Sequence, residues 1–557
     1  MMKLRRGEAA RQDAIIDVGS HLIAGRYGGI RGDWGEGSSP TMSVPKLPST
    51  LPEIQSGADD GIKASDSLYN SYLGRLPREL RDEIYKHYFT TRDGYRIDPT
   101  TNTLRASDGS PINLSLRLTC YAIAKDTEGL ALQYNTIHAT TTKDKRFARA
   151  AYISWRATRR EFLVDQRVLT QRSNYITPSI ADEILDGFPQ YREALEEMIS
   201  NHTGRFGPNH LRYIPPVAIE AWSTEQKFVS RAAKIMRERL ELPGTLFSDL
   251  CRLYDSMLSD TDRERQTPCW EFKDDANAPE MYFRRSDGGP LMDEDISSSC
   301  FSAAAVALRF WNALELDTRK HIRQFEIDED RRSEFFPMCH AEGFIPLWRE
   351  NPKLHINRRV SLGTIIEEAK RPDSSNWCHH HAHHADSRCC KISKPEMKAD
   401  SRTELKTFWD WIAEVKALNA SFDIPKEAFS LAFYSEASPE DTKEVFDVMR
   451  EAAAWQIALD AIAKSDTTSS INALGFDYRN YPWDPRGLAW RALQEISRGC
   501  SMVKCDFDMG QSVDPKDLYD GSGGWSHERW AKHCAVHDSS SWLPEAEVSS
   551  PTIFCIS

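Results

Sequence analysis

The sequence predicts an α+β fold that is predominantly helical. It places helices and a short strand on the N-terminal side, then helix–strand units that form a small sheet covered by helices. Three patterns predict this. Apolar residues recur at spacings of three and four between Leu76 and Tyr134, which marks helical faces. Closely spaced helical segments fill the middle of the chain, among them "IADEILDGF", "PQYREALEEMISNH" and "AIEAWSTEQKFVSRAAKIMRERLEL". Beyond residue 299 a helical stretch is followed three times by an apolar-alternating run, and alternation marks a half-buried strand.

The elements follow in chain order. Residues 1–67 are rich in Gly, Ser, Pro and charge and poor in aromatics. They carry too little apolar surface to offset the entropy of ordering and are expected to be disordered. In the region 68–145, Pro77 suits a first helical turn, where its missing N–H is harmless. Leu76, Leu80, Ile84 and Tyr88 then recur every four residues, Tyr85 and Phe89 widen the stripe, and Arg78, Arg81, Asp82 and Lys86 form the expected wet face. Residues 90–112, with two Asp-Gly pairs and one Asp-Pro, admit a weak hairpin. A second helix is expected over "NLSLRLTCYAIAKDTEGLALQYN", because Leu116, Cys120, Ile123, Thr127, Leu130 and Tyr134 share one face, and "TIHATTT" reads as a strand.

Residues 146–298 are expected to be mainly helical, with an acidic loop at the end. In 299–465 the helices "CFSAAAVALRFWNALE", "HAEGFIPLWREN" and "TELKTFWDWIAEVKAL" lead into the strands "IRQFEID", "KLHINRRVSL" and "EAFSLAFYSE". A long helix follows, with Ser438 as N-cap, Pro439 first and Asp441 as acid partner. A polar His/Cys-rich insertion occupies about 371–400, and 466–557 is a Trp- and Gly-rich region with one helix, "GLAWRALQEIS".

Composition excludes some functions. The net charge of −12 is spread along the chain and disfavours a nucleic-acid or anionic-membrane binder. No run reaches the roughly 20 apolar residues of a membrane span, and the N-terminus has no continuous apolar core for a secretory signal. The 12 cysteines are scattered over 557 residues, which fits a reducing compartment and predicts a cytoplasmic or nuclear protein.

The stretch Leu76-Pro77-Arg78-Glu79-Leu80, with Ile84 and Tyr85 downstream, resembles the opening of an F-box. The fuller similarity is to divergent F-box-like proteins of filamentous fungi. There the first helix is followed by a "LxxTCxxIxxE" helix and by a strand after an "NT" pair; here these are Leu116 to Cys120 with Ile123, and Asn135-Thr136. "LDTRKHIRQFEID" and "IPLWRENPKLHINRRVSL" also resemble recurring segments of that group. The resemblance implies that Leu76, Pro77, Leu80, Ile84 and Tyr85 dock the Skp-type adaptor of a cullin–RING ubiquitin ligase, while residues of about 300–500 bind an unknown target. The alternative from helix physics is that the same stripe faces its own core.

Other constellations have bland readings beside the sharp ones. Cys378, His379, His380, His381, His383, His384, Asp386, Cys389 and Cys390 are dense in zinc- or copper-type donors, but their spacing fits no structural zinc template. Cys500, Cys505, His533, Cys534 and His537 would frame zinc only if two pieces meet. Buried cysteine is the plainer reading. The acidic triplets at 293–295 and 328–330 read as solvated loops, and the tryptophans as core. No G-x-S-x-G or H-E-x-x-H is present. The sequence therefore assigns no catalytic residue, metal or cofactor. The expected function is a non-enzymatic interaction module. The alternatives are an orphan structural protein, or a metal-binding protein or metal-dependent enzyme using the His/Cys segment.

Overall fold

A computed structural model describes residues 71–200, 221–239, 299–369, 401–465 and 487–522, apart from isolated positions within those ranges. The expected disordered segment 1–67, the acidic loop before residue 299 and the His/Cys segment lie outside the described residues. Backbone contacts divide the chain into two units, residues 1–81 with 115–126, and residues 82–114 with 127–557.

The first helix, α1, runs from Arg78 to Phe89. Its sequence offers two adjacent apolar stripes. Tyr85 and Phe89 are the buried ones, and the stripe of Leu80, Ile84 and Tyr88 is exposed. In the smaller unit the expected wet face is engaged instead. Arg78 donates to Asp126 at 2.5 Å, and Arg81 pairs with Asp126 and donates to the carbonyls of Gly74 and Leu76.

The second helix is not continuous. A 3-10 turn, Ser115–Leu118, precedes the short helix α2, Tyr121–Asp126, and a separate turn follows at Leu130–Gln133. Residues 119–120 separate the first two pieces, and the second break ends at Gly129, whose φ of +71 lies in the left-handed region that L side chains rarely adopt. A Cβ there would also lie 2.1 Å from the His321 ring.

In the larger unit the weak hairpin forms: β1, Tyr95–Asp98, and β2, Thr103–Ala106, pair antiparallel. The remaining strands are β3 Thr136–Thr140, β4 Gln324–Glu329, β5 His355–Ser361, β6 Phe429–Tyr434 and β7 Val503–Cys505. They form one seven-stranded sheet in the order β2-β1-β3-β4-β5-β6-β7, parallel from β1 to β7. The fold is thus α+β with a mostly parallel sheet. β7 arises where the sequence suggests loops. Each strand from β4 onward lies beside its predecessor, so right-handed crossovers place those connections on the same face. That face is buried: Ile137, Phe325, Ile327, Ile356, Val360, Leu431 and Phe433 point into a single large core.

Helices cover that core. Among the helices between β3 and β4 are α3 Pro178–Leu185, α4 Arg192–Ser200 and α5 Trp222–Arg239. They form a satellite cluster in which Tyr191 stacks on Phe228 with ring centroids 4.1 Å apart. Main-core helices are α6 Ala303–Ala313, α7 Ile345–Glu350, α8 Leu362–Ala369, α9 Ser401–Ser421, α10 Pro439–Ser465, α11 Leu488–Ser497 and α12 Pro515–Ser522. The predicted cap of α10 is present: Ser438 Oγ accepts from the Asp441 N–H and donates to its carboxylate at 2.9 Å. The predicted helix "HAEGFIPLWREN" begins as a 3-10 turn, Pro337–Phe344, before α7. Trp409, Trp411 and Trp455 are buried, as are Cys300 and Cys339.

The triplet 328–330 departs from its solvated-loop reading. Glu329 ends β4, is fully buried, and accepts from the N–H groups of Ala303 and Ala304 at 2.9 and 3.2 Å, satisfying donors at the start of α6. Ser302 supplies the N-cap to Ala305. Arg358 of β5 donates to Glu329 at 2.5 Å and to the carbonyls of Pro337 and Met338, and stacks over Trp411. A buried charge persists only when paired and hydrogen-bonded in this way.

Candidate functional site

Parallel strands are usually covered on both faces, yet the second face of this sheet is polar. The strand register sets its side chains in rows. One row runs Arg96, His138, Glu326, Asn357 and Ser430, and the next runs Thr140, Asp328, Arg359, Ala432 and Lys504. The alternation of β4 and β5 produces this directly, since every second residue faces away from the core.

Where β1, β3, β4 and β5 meet, these rows line a cleft of about 620 Å³ with the loop that follows α1. Asn135 builds the end of the cleft. Its amide donates to the carbonyls of Phe89 and Ala131 at 2.6 and 2.7 Å, and its oxygen accepts from the Thr91 N–H and hydroxyl at 2.7 and 2.9 Å. All four of its hydrogen-bonding positions are filled, which ties the end of α1 to β3. Gly94 lies beneath the cleft with φ +64, and a Cβ there would stand 2.2 Å from the Thr136 carbonyl oxygen.

The charges of the cleft are arranged around Arg359. It donates to Glu326 at 3.2 Å, lies 3.9 Å from Asp328 and sits over the Tyr434 ring at 4.5 Å. Burial raises the Asp328 carboxyl above its ordinary range. The Tyr434 hydrogen bond and Arg359 oppose the rise, while the charges of Asp330 and Glu326 add to it. Burial, followed by the Asp328 contact, likewise raises the Tyr434 phenol. His138 Nδ1 stands 3.9 Å from Glu326, outside hydrogen-bond range. Among the described residues no nucleophile is bonded to this imidazole, so the arrangement suits charge recognition more than nucleophilic chemistry.

The sequence-predicted docking residues are split by the structure. Tyr85 is buried. Leu76 is half-buried, Pro77 is exposed, and Leu80 and Ile84 keep 53% and 42% of their surface, with Tyr88 at 39%. Leu80, Ile84 and Tyr88 make one apolar stripe on a helix about 18 Å long. In the smaller unit Leu118 and Tyr121 are also exposed. Sequence reasoning missed the cleft, although the alternation of β4 and β5 already carried its residues.

Of the proposed metal ligands, Cys505 is half-buried on β7, and burial pushes its thiol up to about 12. The others lie outside the described residues. Among the described residues no three metal-type donors cluster, and no helix is long and apolar enough to cross a membrane. No family model matches the chain, and neither a curated protein nor a solved structure matches it.

Proposed function

We propose that the chain is a non-enzymatic interaction module that docks the Skp-type adaptor of a cullin–RING ubiquitin ligase through α1 and presents a target protein on its larger unit. The observation that carries this reading is the exposed stripe of Leu80, Ile84 and Tyr88. An amphipathic helix ordinarily turns its apolar stripe inward; here a second stripe does that work and the first stays available. The mode is helix-in-groove recognition, with side chains spaced by four as anchors. Covering the exposed halves of Leu80 and Ile84 contributes about 1 kcal/mol each.

The test is calorimetric titration of the purified full chain with a purified Skp-type adaptor. Wild type is expected to bind, and Leu80→Asp with Ile84→Asp to lose at least tenfold in affinity with an unchanged melting temperature, because neither side chain is buried. Absence of wild-type binding removes the adaptor from the reading.

A further inference from the structure

The cleft on the open face of the sheet is lined by three arginines and three acids, but they are unevenly paired. Its acids are engaged: Arg359 bridges Glu326 and Asp328, and Asp93 accepts from Ser107 at 3.3 Å. Two of its three arginines are not: the side chains of Arg92 and Arg96 have no hydrogen-bond or ion-pair partner among the described residues. Arg92 and Arg96 outnumber Asp93 at the end of the cleft formed by β1 and its preceding loop, which leaves that end with one excess positive charge in a chain of net charge −12.

The walls also argue about size. Small-molecule sites are mostly apolar, whereas here the only rings are those of Tyr134 and His138 and the other lining residues are polar, charged or glycine. The polar row continues past the cleft to Asn357 and Ser430, as an extended ligand requires.

We propose that this cleft takes an acidic peptide segment of a partner protein, whose carboxylates pair with Arg92 and Arg96. The proposal rests on the reading of the chain as an interaction module and names the surface and the chemistry of its target. Planar guanidinium groups suit carboxylates because two parallel N–H donors meet two oxygens.

The test is fluorescence anisotropy with the full chain and a fluorescein-labelled peptide of alternating Glu and Gly. Binding is expected to weaken with salt. Arg96→Glu and Arg92→Glu are each expected to reduce affinity about tenfold or more, since a charged hydrogen bond contributes about 1.5–3 kcal/mol. Arg96→Gln provides the smaller perturbation if the reversal impairs folding. No binding by wild type, equal binding of a Lys–Gly peptide, or unchanged affinity in both Arg96 variants overturns the proposal. So does displacement by inorganic phosphate at constant ionic strength and lower concentration than the unlabelled Glu peptide. Leu80→Asp with Ile84→Asp leaves this assay unchanged, so failure here and failure of adaptor docking are read separately.

Discussion

The same strands carry two arginine–carboxylate pairs with opposite fates. Glu329 and Arg358 face the core and are sealed, each with 1% of its side chain accessible. Glu326 and Arg359 face the open side, with 30% and 32% accessible. One residue of displacement along a strand reverses the face. The sealed pair also caps α6, binds two carbonyls and stacks on Trp411, so every group taken from water finds a replacement. The open pair keeps its water and contributes little to stability, but it remains reachable. The buried face specifies the fold, and the open face keeps its charged groups accessible.

Breaking the sealed pair is the sharpest test of that contrast. Arg358→Met leaves Glu329 charged and buried, and is expected to cost about 3–5 kcal/mol in urea unfolding. A loss below about 1 kcal/mol would show that water reaches Glu329 and that the two faces are less distinct than described. A second sealed acid gives a pH signature. Glu414 on α9 accepts from the Ser223 N–H and hydroxyl at 2.8 and 2.7 Å, with Glu342, itself paired to Lys227, and Asp410 nearby. Burial raises its carboxyl from the ordinary glutamate value of 4.5 to about 7; the Ser223 bonds oppose this, and Glu342 and Asp410 add to it. Between those values the folded chain holds a proton that the unfolded chain releases. The contribution of Glu414 to stability is therefore full below pH 4.5 and is lost as pH rises through 7, by up to about 3 kcal/mol. Glu414→Gln is expected to flatten that slope in melting curves recorded across the window. The smallest effect belongs to the open pair: Arg359→Met is expected to shift unfolding by about 1 kcal/mol or less.

What the sequence revealed follows the same division. β4, β5 and β6 were legible because Phe325, Ile327, Ile356, Leu431 and Phe433 alternate with polar residues, and that alternation held. The α10 cap was legible because Ser438, Pro439 and Asp441 act locally. The roll of α1 was not, because two apolar stripes compete and Asp126, distant in sequence, holds Arg78 and Arg81. The single second helix failed at Gly129, where a continuous apolar face outweighed a helix-breaking residue. The three-residue strand β7 is too short to show a period. The cleft was not legible because Arg96, His138, Glu326 and Arg359 meet only through the register of four strands.

The order of strands in the sheet has a consequence for synthesis. Every parallel strand after β3 adds to an edge that is already complete, except that residues 141–323 separate β3 from β4. At about 5–20 residues per second, the nascent chain holds the outer edge of β3 unfilled for on the order of 10–40 s. An unfilled strand edge is a template for pairing with another chain. The long excursion between two adjacent strands is thus the interval in which the emerging polypeptide has most need of a chaperone.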